Sequence, residues 1–134
     1  MAKTKQLTVW LQSAPGQIGR IAQALGEAQV NITAFSCATR SGESPLRLQV
    51  SDYERAREIL QDLGLRLTEE EVLRVTVPDK PGAAGRVGAA LGAAGINIEY
   101  GYGAVAPGAR KAELVLGVSD LEGGLRVLKS SKLA

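Results

Sequence analysis

The sequence LTVWLQSAPGQIGR at residues 7–20 recurs as LRVTVPDKPGAAGR at residues 73–86. The match continues to Asn31-Ile32 over Asn97-Ile98, and 12 of the 26 aligned positions are identical. Residue frequencies near ~7% would give about two identities by chance. The chain therefore contains a duplicated unit, and we predict two domains at residues 5–70 and 71–134.

Each copy opens with an alternating apolar pattern, which in the first copy is Leu7, Val9 and Leu11. This period of two predicts a strand with one buried face. A Pro-Gly pair then breaks the strand, and apolar residues at helical spacing predict a helix of about 12 residues. Gln29 and Gly95 mark the ends of these helices in the two copies.

An asparagine-isoleucine pair opens a second strand in each copy, running to roughly Thr39 and Val105. Gly42 and Gly108 mark the turns after these strands, and alternating apolar residues predict a third strand. Ser51 and Ser119 each stand three residues before a glutamate, which is the spacing of a capping box and predicts a second helix. In the first copy, residues 65–68 can form a fourth strand before Glu69-Glu70-Glu71.

This order of elements predicts an α+β protein made of two tandem ferredoxin-like (βαββαβ) units, with antiparallel sheets and the helices on one face. In the second copy only residues 130–134 follow the last helix, so we expect its last strand to be short or missing. Trimming, cloning residues at the end of the chain, or another chain covering that position would each account for the difference.

The composition excludes several classes of site. The 134 residues contain no histidine and one cysteine, Cys37, which excludes disulfide frameworks, Cys/His zinc sites and imidazole-based catalysis. A net charge of +2 is far below the basic excess of non-specific nucleic-acid binders. Since no stretch of 18 uncharged apolar residues occurs, we expect a cytoplasmic protein with no membrane contact, and no cofactor.

In each copy, the loop before the first helix holds the residues best suited to bind a ligand. In the second copy, Gly82 allows close backbone approach, and the helix N-terminus behind it attracts an anion. Neither copy continues into a phosphate-binding motif, so a carboxylate is favoured over a phosphate. Asp79 could meet an ammonium group, while Asn31 or Asn97 offers both a donor and an acceptor. Together these groups suit a zwitterion.

Structural explanations compete with this functional one. The Pro-Gly pairs could serve only to end strands and start helices, and Asn31 and Asn97 could serve only as turn residues that tolerate left-handed backbone. Tyr100 and Tyr102 share the alternation of Ile98, so we predict that they cover the interface between sheet and helices.

The residues Asp-Lys-Pro-Gly-x-x-Gly-Arg at 79–86, followed by Gly-Ile-Asn-Ile at 95–98, resemble the ACT domain, a regulatory module of amino-acid metabolism. Both copies match, and Ile-Glu-Tyr-x-Tyr at 98–102 is similar to small stand-alone tandem-ACT proteins. The resemblance implies that the two units pair side by side through their second strands into an eight-stranded sheet. It also implies that amino acids bind at the seam between the units.

Carried over to this sequence, the resemblance implies two pseudo-symmetric pockets. The first would use Asp79, Gly82, Ala83 and Ala84 with Asn31 and Ile32. The second would use Ser13, Gly16, Gln17 and Ile18 with Asn97 and Ile98. Ser13 replaces the acidic residue of the pattern and Ala14 replaces the lysine, so occupancy of the second pocket is in doubt.

We therefore predict a non-enzymatic regulatory protein that binds a free amino acid between its two ACT units. The apolar members of the pockets favour an apolar or aromatic side chain. Unpaired sheet edges favour a homodimer, and the absence of a catalytic domain implies that the protein regulates a partner protein in trans. An acylphosphatase-like enzyme, a protein-protein interaction scaffold and a nucleic-acid module remain alternatives on the same fold.

Overall fold

The structure is a computed structural model of the chain, and it describes residues 2–38, 42–105 and 108–133. The predicted α+β class is confirmed, with six strands and four helices among these residues and two tandem units of βαββαβ-like pattern. The elements are β1 (Ala2–Gln12), α1 (Gln17–Glu27), β2 (Ile32–Cys37), β3 (Glu43–Val50), α2 (Tyr53–Asp62), β4 (Arg66–Pro78), α3 (Ala83–Ala93), β5 (Ile98–Ala104), β6 (Lys111–Val118) and α4 (Leu121–Ser130). The predicted end of the second strand at Thr39 lies outside the described residues.

The chain divides into two compact units. The N-terminal unit is Lys5–Glu70, and the C-terminal unit is Met1–Thr4 together with Glu71–Ala134. In the N-terminal unit, β3 pairs antiparallel with both β1 and β2. In the C-terminal unit, β6 pairs antiparallel with both β4 and β5. The two units therefore share one arrangement of strands.

Each unit buries its own core between one face of its sheet and its two helices. The core of the N-terminal unit consists of Leu7, Val9, Leu11, Ile21, Leu25, Val30, Leu46, Leu48, Ala56 and Leu60. The core of the C-terminal unit consists of Leu73, Val75, Val77, Ala83, Val87, Leu91, Ile96, Leu116 and Leu128. Full burial of one large apolar side chain contributes about 1.5–3 kcal/mol, so each cluster stabilises its own unit.

The strand β4 is longer than the sequence predicts. A separate fourth strand was expected before Glu69-Glu70-Glu71, but β4 runs unbroken from Arg66 to Pro78. The glutamates do not interrupt it because they have partners. The hydroxyl of Thr8 donates to Glu70 at 2.9 Å, and the Arg57 guanidinium lies 3.6 Å from the Glu69 carboxylate. A run of like charges is thus compatible with a strand when neighbouring elements neutralise it.

The C-terminal unit obtains a strand from the start of the chain. The described residues after α4 form no strand, which confirms that the last strand of the second copy is missing. Instead, the first residues of β1, up to Thr4, belong to this unit. The Lys3 ammonium lies 3.0 Å from the Glu122 carboxylate and 3.9 Å from that of Glu71. Its hydrogen bond to Glu122 raises the pKa of Lys3 above its usual value.

Helices α1 and α3 end as predicted, at residues with left-handed backbone. Gln29 has φ 63° and Gly95 has φ 73°. The next amide in each case, that of Val30 or Ile96, donates back to the carbonyl of a buried leucine at 2.9 or 3.0 Å. Such a reversal satisfies free carbonyls at a helix C-terminus and is most easily adopted by glycine.

The Gln29→Gly variant is expected to raise the free energy of unfolding by about 0.5–1 kcal/mol, because left-handed backbone costs a non-glycine residue about 1–2 kcal/mol and glycine loses part of that gain to chain entropy. Urea denaturation would measure the change. The matched substitution Gly95→Gln in the other unit should lower the free energy of unfolding by a similar amount. Equal stability of all three proteins would contradict this account of the helix ends.

The capping prediction for α2 and α4 is wrong by one residue. The N-cap residues are Asp52 and Asp120, whose carboxylates accept from the amides of Arg55 and Gly123 at 3.1 and 2.9 Å. The preceding serines do not cap the helices. The hydroxyls of Ser51 and Ser119 instead accept hydrogen bonds from the backbone amides of Asn31 and Asn97, each at 2.9 Å. A carboxylate at the N-cap is as effective as a serine.

Candidate functional site

The loops before α1 and α3 have the same open geometry. Their N-cap residues are Gly16 and Gly82, with left-handed φ values of 86° and 90°. Among the described residues no side chain caps either helix. The amide of Arg86 donates to the Gly82 carbonyl at 3.0 Å, so helical hydrogen bonding begins at the fourth residue of α3. The N–H groups of Ala84 and Gly85 therefore face the loop, where the helix dipole favours an anion.

Asp79 lies at the other side of the same loop in the C-terminal unit. Its amide donates to the Arg110 carbonyl at 2.9 Å, which anchors the loop to the segment before β6. The Asp79 side chain is exposed. A carboxylate therefore stands within the loop that carries the open amides of α3.

The two predicted asparagines join the second strands to the following helices. In the C-terminal unit, the Asn97 amide donates to the Ser119 hydroxyl at 2.9 Å, and the Ser119 amide donates to the Asn97 carbonyl at 3.0 Å. Asn31 and Ser51 make the same pair of bonds in the N-terminal unit. Since the left-handed residue stands two positions before each asparagine, the alternative that these asparagines adopt left-handed turns is wrong. Both residues are exposed.

A β-bulge at the start of β5 reverses the face predicted for Tyr100. The register shifts between Ile98, which lies opposite Val118, and Tyr100, which lies opposite Gly117. A Cβ atom added to Gly117 would come within 3 Å of the Tyr100 ring. Tyr100 therefore packs on the sheet face away from the helices, and the prediction that it covers the sheet-helix interface is wrong because the extra residue shifts the alternation by one. Tyr102 lies opposite Val115 and contributes to the lining of the cavity described next.

The same bulge turns two glycines toward the helices and opens a cavity in the C-terminal unit. Gly101 lies opposite Leu116, and Gly103 lies opposite Leu114. The cavity has a volume of about 320 Å³ between α3 and the strands β5 and β6. It is lined by Ala84, Val87, Gly88, Ile98, Gly101, Tyr102, Gly103, Leu114 and Leu116. No charged residue is in this lining, so the cavity suits an apolar group.

A smaller cavity of about 170 Å³ lies at the N-terminus of α3. Its lining is Val77, Pro78, Ala83, Arg86, Lys132 and Leu133. Leu133 packs against the core of the C-terminal unit. Lys132 and Leu133, the last described residues, thus lie beside the N-terminus of α3.

The second strands are both edge strands. Among the described residues, the strand partner of β2 is β3 and that of β5 is β6. The eight-stranded sheet joined through the second strands, which the resemblance implied, therefore does not form within this part of the chain. Each second strand keeps one row of backbone groups available for another strand.

The structure brings some of the predicted site residues together. Ala84 and Ile98, which were assigned to different pockets, line one cavity of the C-terminal unit. Ala83 is buried beside the smaller cavity. Asn31 and Ile32 belong to the N-terminal unit and Asp79 and Gly82 to the C-terminal unit, so the membership of the first pocket stays a prediction.

In the N-terminal unit the loop residues of the second predicted pocket are mostly exposed. Ser13 and Gly16 are exposed, and Gln17 is half-buried. Ile18 is 40% exposed, whereas Ile32, which was assigned to the first pocket, packs against the core. Ser13 provides no charge for an ammonium group. This loop therefore offers helix amides for a carboxylate but, unlike its counterpart, no carboxylate for an ammonium group.

Sequence reasoning missed Gly88, Gly101 and Gly103 as site residues. Their signal was present in the repeat, because the first copy has larger residues at the same three positions, Ala22, Phe35 and Cys37. A position-by-position comparison of residue size would have singled out these three positions.

The described residues contain no group of three or more Cys, Asp or Glu side chains placed to hold a metal ion. Within the same residues, no helix has the length and apolar character needed to cross a membrane.

Comparison with known proteins identifies related sequences and structures. The family model described as the ACT domain pair matches residues 2–131. No curated protein sequence gives a significant match. The crystal structure of protein BT0572 from Bacteroides thetaiotaomicron is 28% identical, with a TM-score of 0.89 over 97% of this chain and 89% of that one.

Two further solved structures share the fold at lower identity. The regulatory subunit of aspartate kinase from Thermus thermophilus is 17% identical, with a TM-score of 0.66 over 96% of this chain and 94% of that one. A structure of aspartokinase alpha and beta subunits is 18% identical, with a TM-score of 0.64 over 99% of this chain and 97% of the other.

Proposed function

The chain belongs to the ACT domain pair family, and from this premise we propose that it is a regulatory protein that binds a free amino acid. One observation carries the proposal, namely that the open N-terminus of α3 adjoins an apolar cavity. Ala84 belongs to both, because its amide is among the open N–H groups and the residue lines the cavity. An amino acid needs both kinds of contact.

Each part of an amino acid has a counterpart in the C-terminal unit. The carboxylate would accept hydrogen bonds from the amides of Ala84 and Gly85, where the helix dipole favours negative charge. The ammonium group would lie near the Asp79 carboxylate, which stands in the same loop. The side chain would enter the apolar cavity. The fold shared with a regulatory subunit of aspartate kinase supports a regulatory role.

The remaining members of the first pocket, Asn31 and Ile32, are proposed to come from a second copy of the chain. Within the described residues β2 pairs with β3 and β5 pairs with β6, so β2 of one copy can add to β5 of another, and edge strands are the usual place for such additions. The protein would then be a homodimer, and the ligand would touch both copies. A ligand that binds the paired state more tightly shifts the equilibrium toward it, which could signal to a regulated protein in trans.

The second pocket is proposed to stay without a ligand. Its loop carries Ser13 and Ala14 where the first has Asp79 and Lys80. Without the carboxylate, an ammonium group would lose its counter-charge. One amino acid per chain is therefore the proposed stoichiometry.

A thermal-shift screen of the twenty amino acids on the full chain is expected to identify a ligand. At ~100 times its dissociation constant, a ligand adds about 2.7 kcal/mol to the free energy of unfolding. Asp79→Ala and Asn31→Ala should each abolish this shift. Asp62→Ala, which removes an exposed carboxylate from the end of α2, is the control and should keep it.

Two results would refute the proposal. The first is a screen in which no amino acid raises the melting temperature. The second is full binding by the Asp79→Ala and Asn31→Ala variants, which would mean that the site is elsewhere in the molecule.

A further inference from the structure

We propose that the 320 Å³ cavity of the C-terminal unit selects amino acids with large aliphatic or aromatic side chains, and that the N-terminal unit has lost the equivalent pocket by carrying larger residues. This inference rests on the proposed function and adds to it the class of ligand and the reason why one unit binds. It depends on a comparison of the two copies at the positions that line the cavity.

The helix wall of the cavity consists of smaller residues than its counterpart. Ala84 and Gly88 line the cavity on α3, and the repeat sets them over Ile18 and Ala22 of α1. Ile18 is 40% exposed, so this side chain projects from the N-terminal unit at a position where the C-terminal unit has only a methyl group. The change from isoleucine to alanine removes three carbon atoms from the wall.

The strand wall shows the same change. Phe35 of β2 lies opposite Leu48 of β3, and Gly101 of β5 lies opposite Leu116 of β6. Phe35 and Gly101 therefore occupy equivalent register positions in their own units. Phe35 is 58% exposed, whereas Gly101 has no side chain and lines the cavity. The next position on the same face of β2 is Cys37, with Gly103 as its counterpart. Both walls of the cavity therefore carry smaller residues than the equivalent positions of the N-terminal unit.

The occupant is identified by size, polarity and position. A volume of about 320 Å³ lies within the range of ~300–1,000 Å³ for small-molecule pockets, so the cavity has room for the side chain of one amino acid. The lining carries no charge, so a charged side chain would lose its hydration without gaining a partner. Because Ala84 is the second residue of α3, a ligand held by the first-turn amides can place its side chain in the cavity.

Isothermal titration calorimetry on the full chain with alanine, leucine and phenylalanine tests this inference. Leucine should bind the unaltered protein about 50-fold more tightly than alanine, because each buried methylene adds to affinity. The double variant Ala84→Ile/Gly88→Ala gives α3 the residue types that α1 has at the equivalent positions, Ile18 and Ala22. A Cβ atom on Gly88 meets nothing within 4 Å, and alanine favours the helix, so this protein should fold.

In that double variant, leucine affinity should fall to within about threefold of the alanine affinity of the same variant. The matched control is Ala89→Ile/Gly92→Ala, which makes the same two changes on α3 outside the cavity lining. This control should keep the leucine preference. Binding of alanine without any preference for leucine would overturn the inference and leave the proposed function intact.

Three other results would also overturn the inference. A filled double variant that keeps its preference for leucine would show that the ligand side chain lies elsewhere. If Phe35 of a second copy occupies the cavity, Phe35→Ala should raise leucine affinity and lower the apparent mass in sedimentation. Our expectation for Phe35→Ala is unchanged leucine affinity. If no amino acid binds the unaltered protein, the proposed function fails together with the inference.

Discussion

The Leu91→Ala variant is expected to lose about 3–5 kcal/mol of unfolding free energy. Leu91 has no exposed surface and lies in the buried cluster of the C-terminal unit. Removing its side chain takes away the transfer free energy of the apolar atoms and leaves a cavity that the surrounding strands cannot fill without moving. Its carbonyl also receives the amides of Ala94 and Ile96 that end α3, but these backbone bonds survive the substitution.

Chemical denaturation followed by circular dichroism would measure this loss. Leu25→Ala makes the same change in the N-terminal unit, where Leu25 is equally buried, and should cost a similar amount. Gln23→Ala on the exposed side of α1 is the surface control, with an expected change within about 0.5 kcal/mol. A loss below about 1 kcal/mol for Leu91→Ala would show that the helix packs less tightly than described, since core leucine truncations cost about 2–5 kcal/mol.

The Gly103→Val variant is expected to lose about 3 kcal/mol, the upper part of the usual range for overpacking. A Cβ atom at this position would lie 2.6 Å from the Glu113 carbonyl oxygen and 3.0 Å from a methyl carbon of Leu114. The carbonyl belongs to the backbone of β6 and cannot rotate away. The end of β5 would therefore separate from β6.

The matched comparison is Gly101→Ala, two residues earlier on β5. Its added Cβ atom would meet a Leu116 methyl carbon at 2.9 Å and the Val115 carbonyl oxygen only at 3.4 Å. Because a leucine methyl can move, this variant should lose less stability than Gly103→Val in the same urea titration. The reverse order would contradict the described pairing of β5 with β6.

The repeat and the alternation of apolar residues were sufficient to predict most of the fold. Leu7, Val9 and Leu11 are buried as their period of two indicated, and the Pro-Gly pairs precede α1 and α3 as expected. These features depend on local geometry, which the spacing of apolar residues along the sequence indicates directly. The loop glycine at the N-terminus of α3 was found for the same reason.

The features that sequence reasoning missed depend on contacts between distant elements. The bulge that turns Gly101 and Gly103 toward α3 follows from the register between β5 and β6, and a single strand gives no sign of it. The unbroken course of β4 through three glutamates needs Thr8 and Arg57, which come from elsewhere in the chain. The use of the first residues by the C-terminal unit likewise has no local signal.

That use of the first residues affects how the polypeptide acquires its structure during synthesis. The segment Lys5–Glu70 is continuous, so the N-terminal unit has all of its residues as soon as Glu70 has left the ribosome. In the C-terminal unit Lys3 pairs with Glu122, a separation of 119 residues, and closing so long a loop slows the formation of this contact because chain entropy is lost before the contact forms. Nascent chains should therefore hold a folded N-terminal unit before residues 2–4 join the rest of the C-terminal unit.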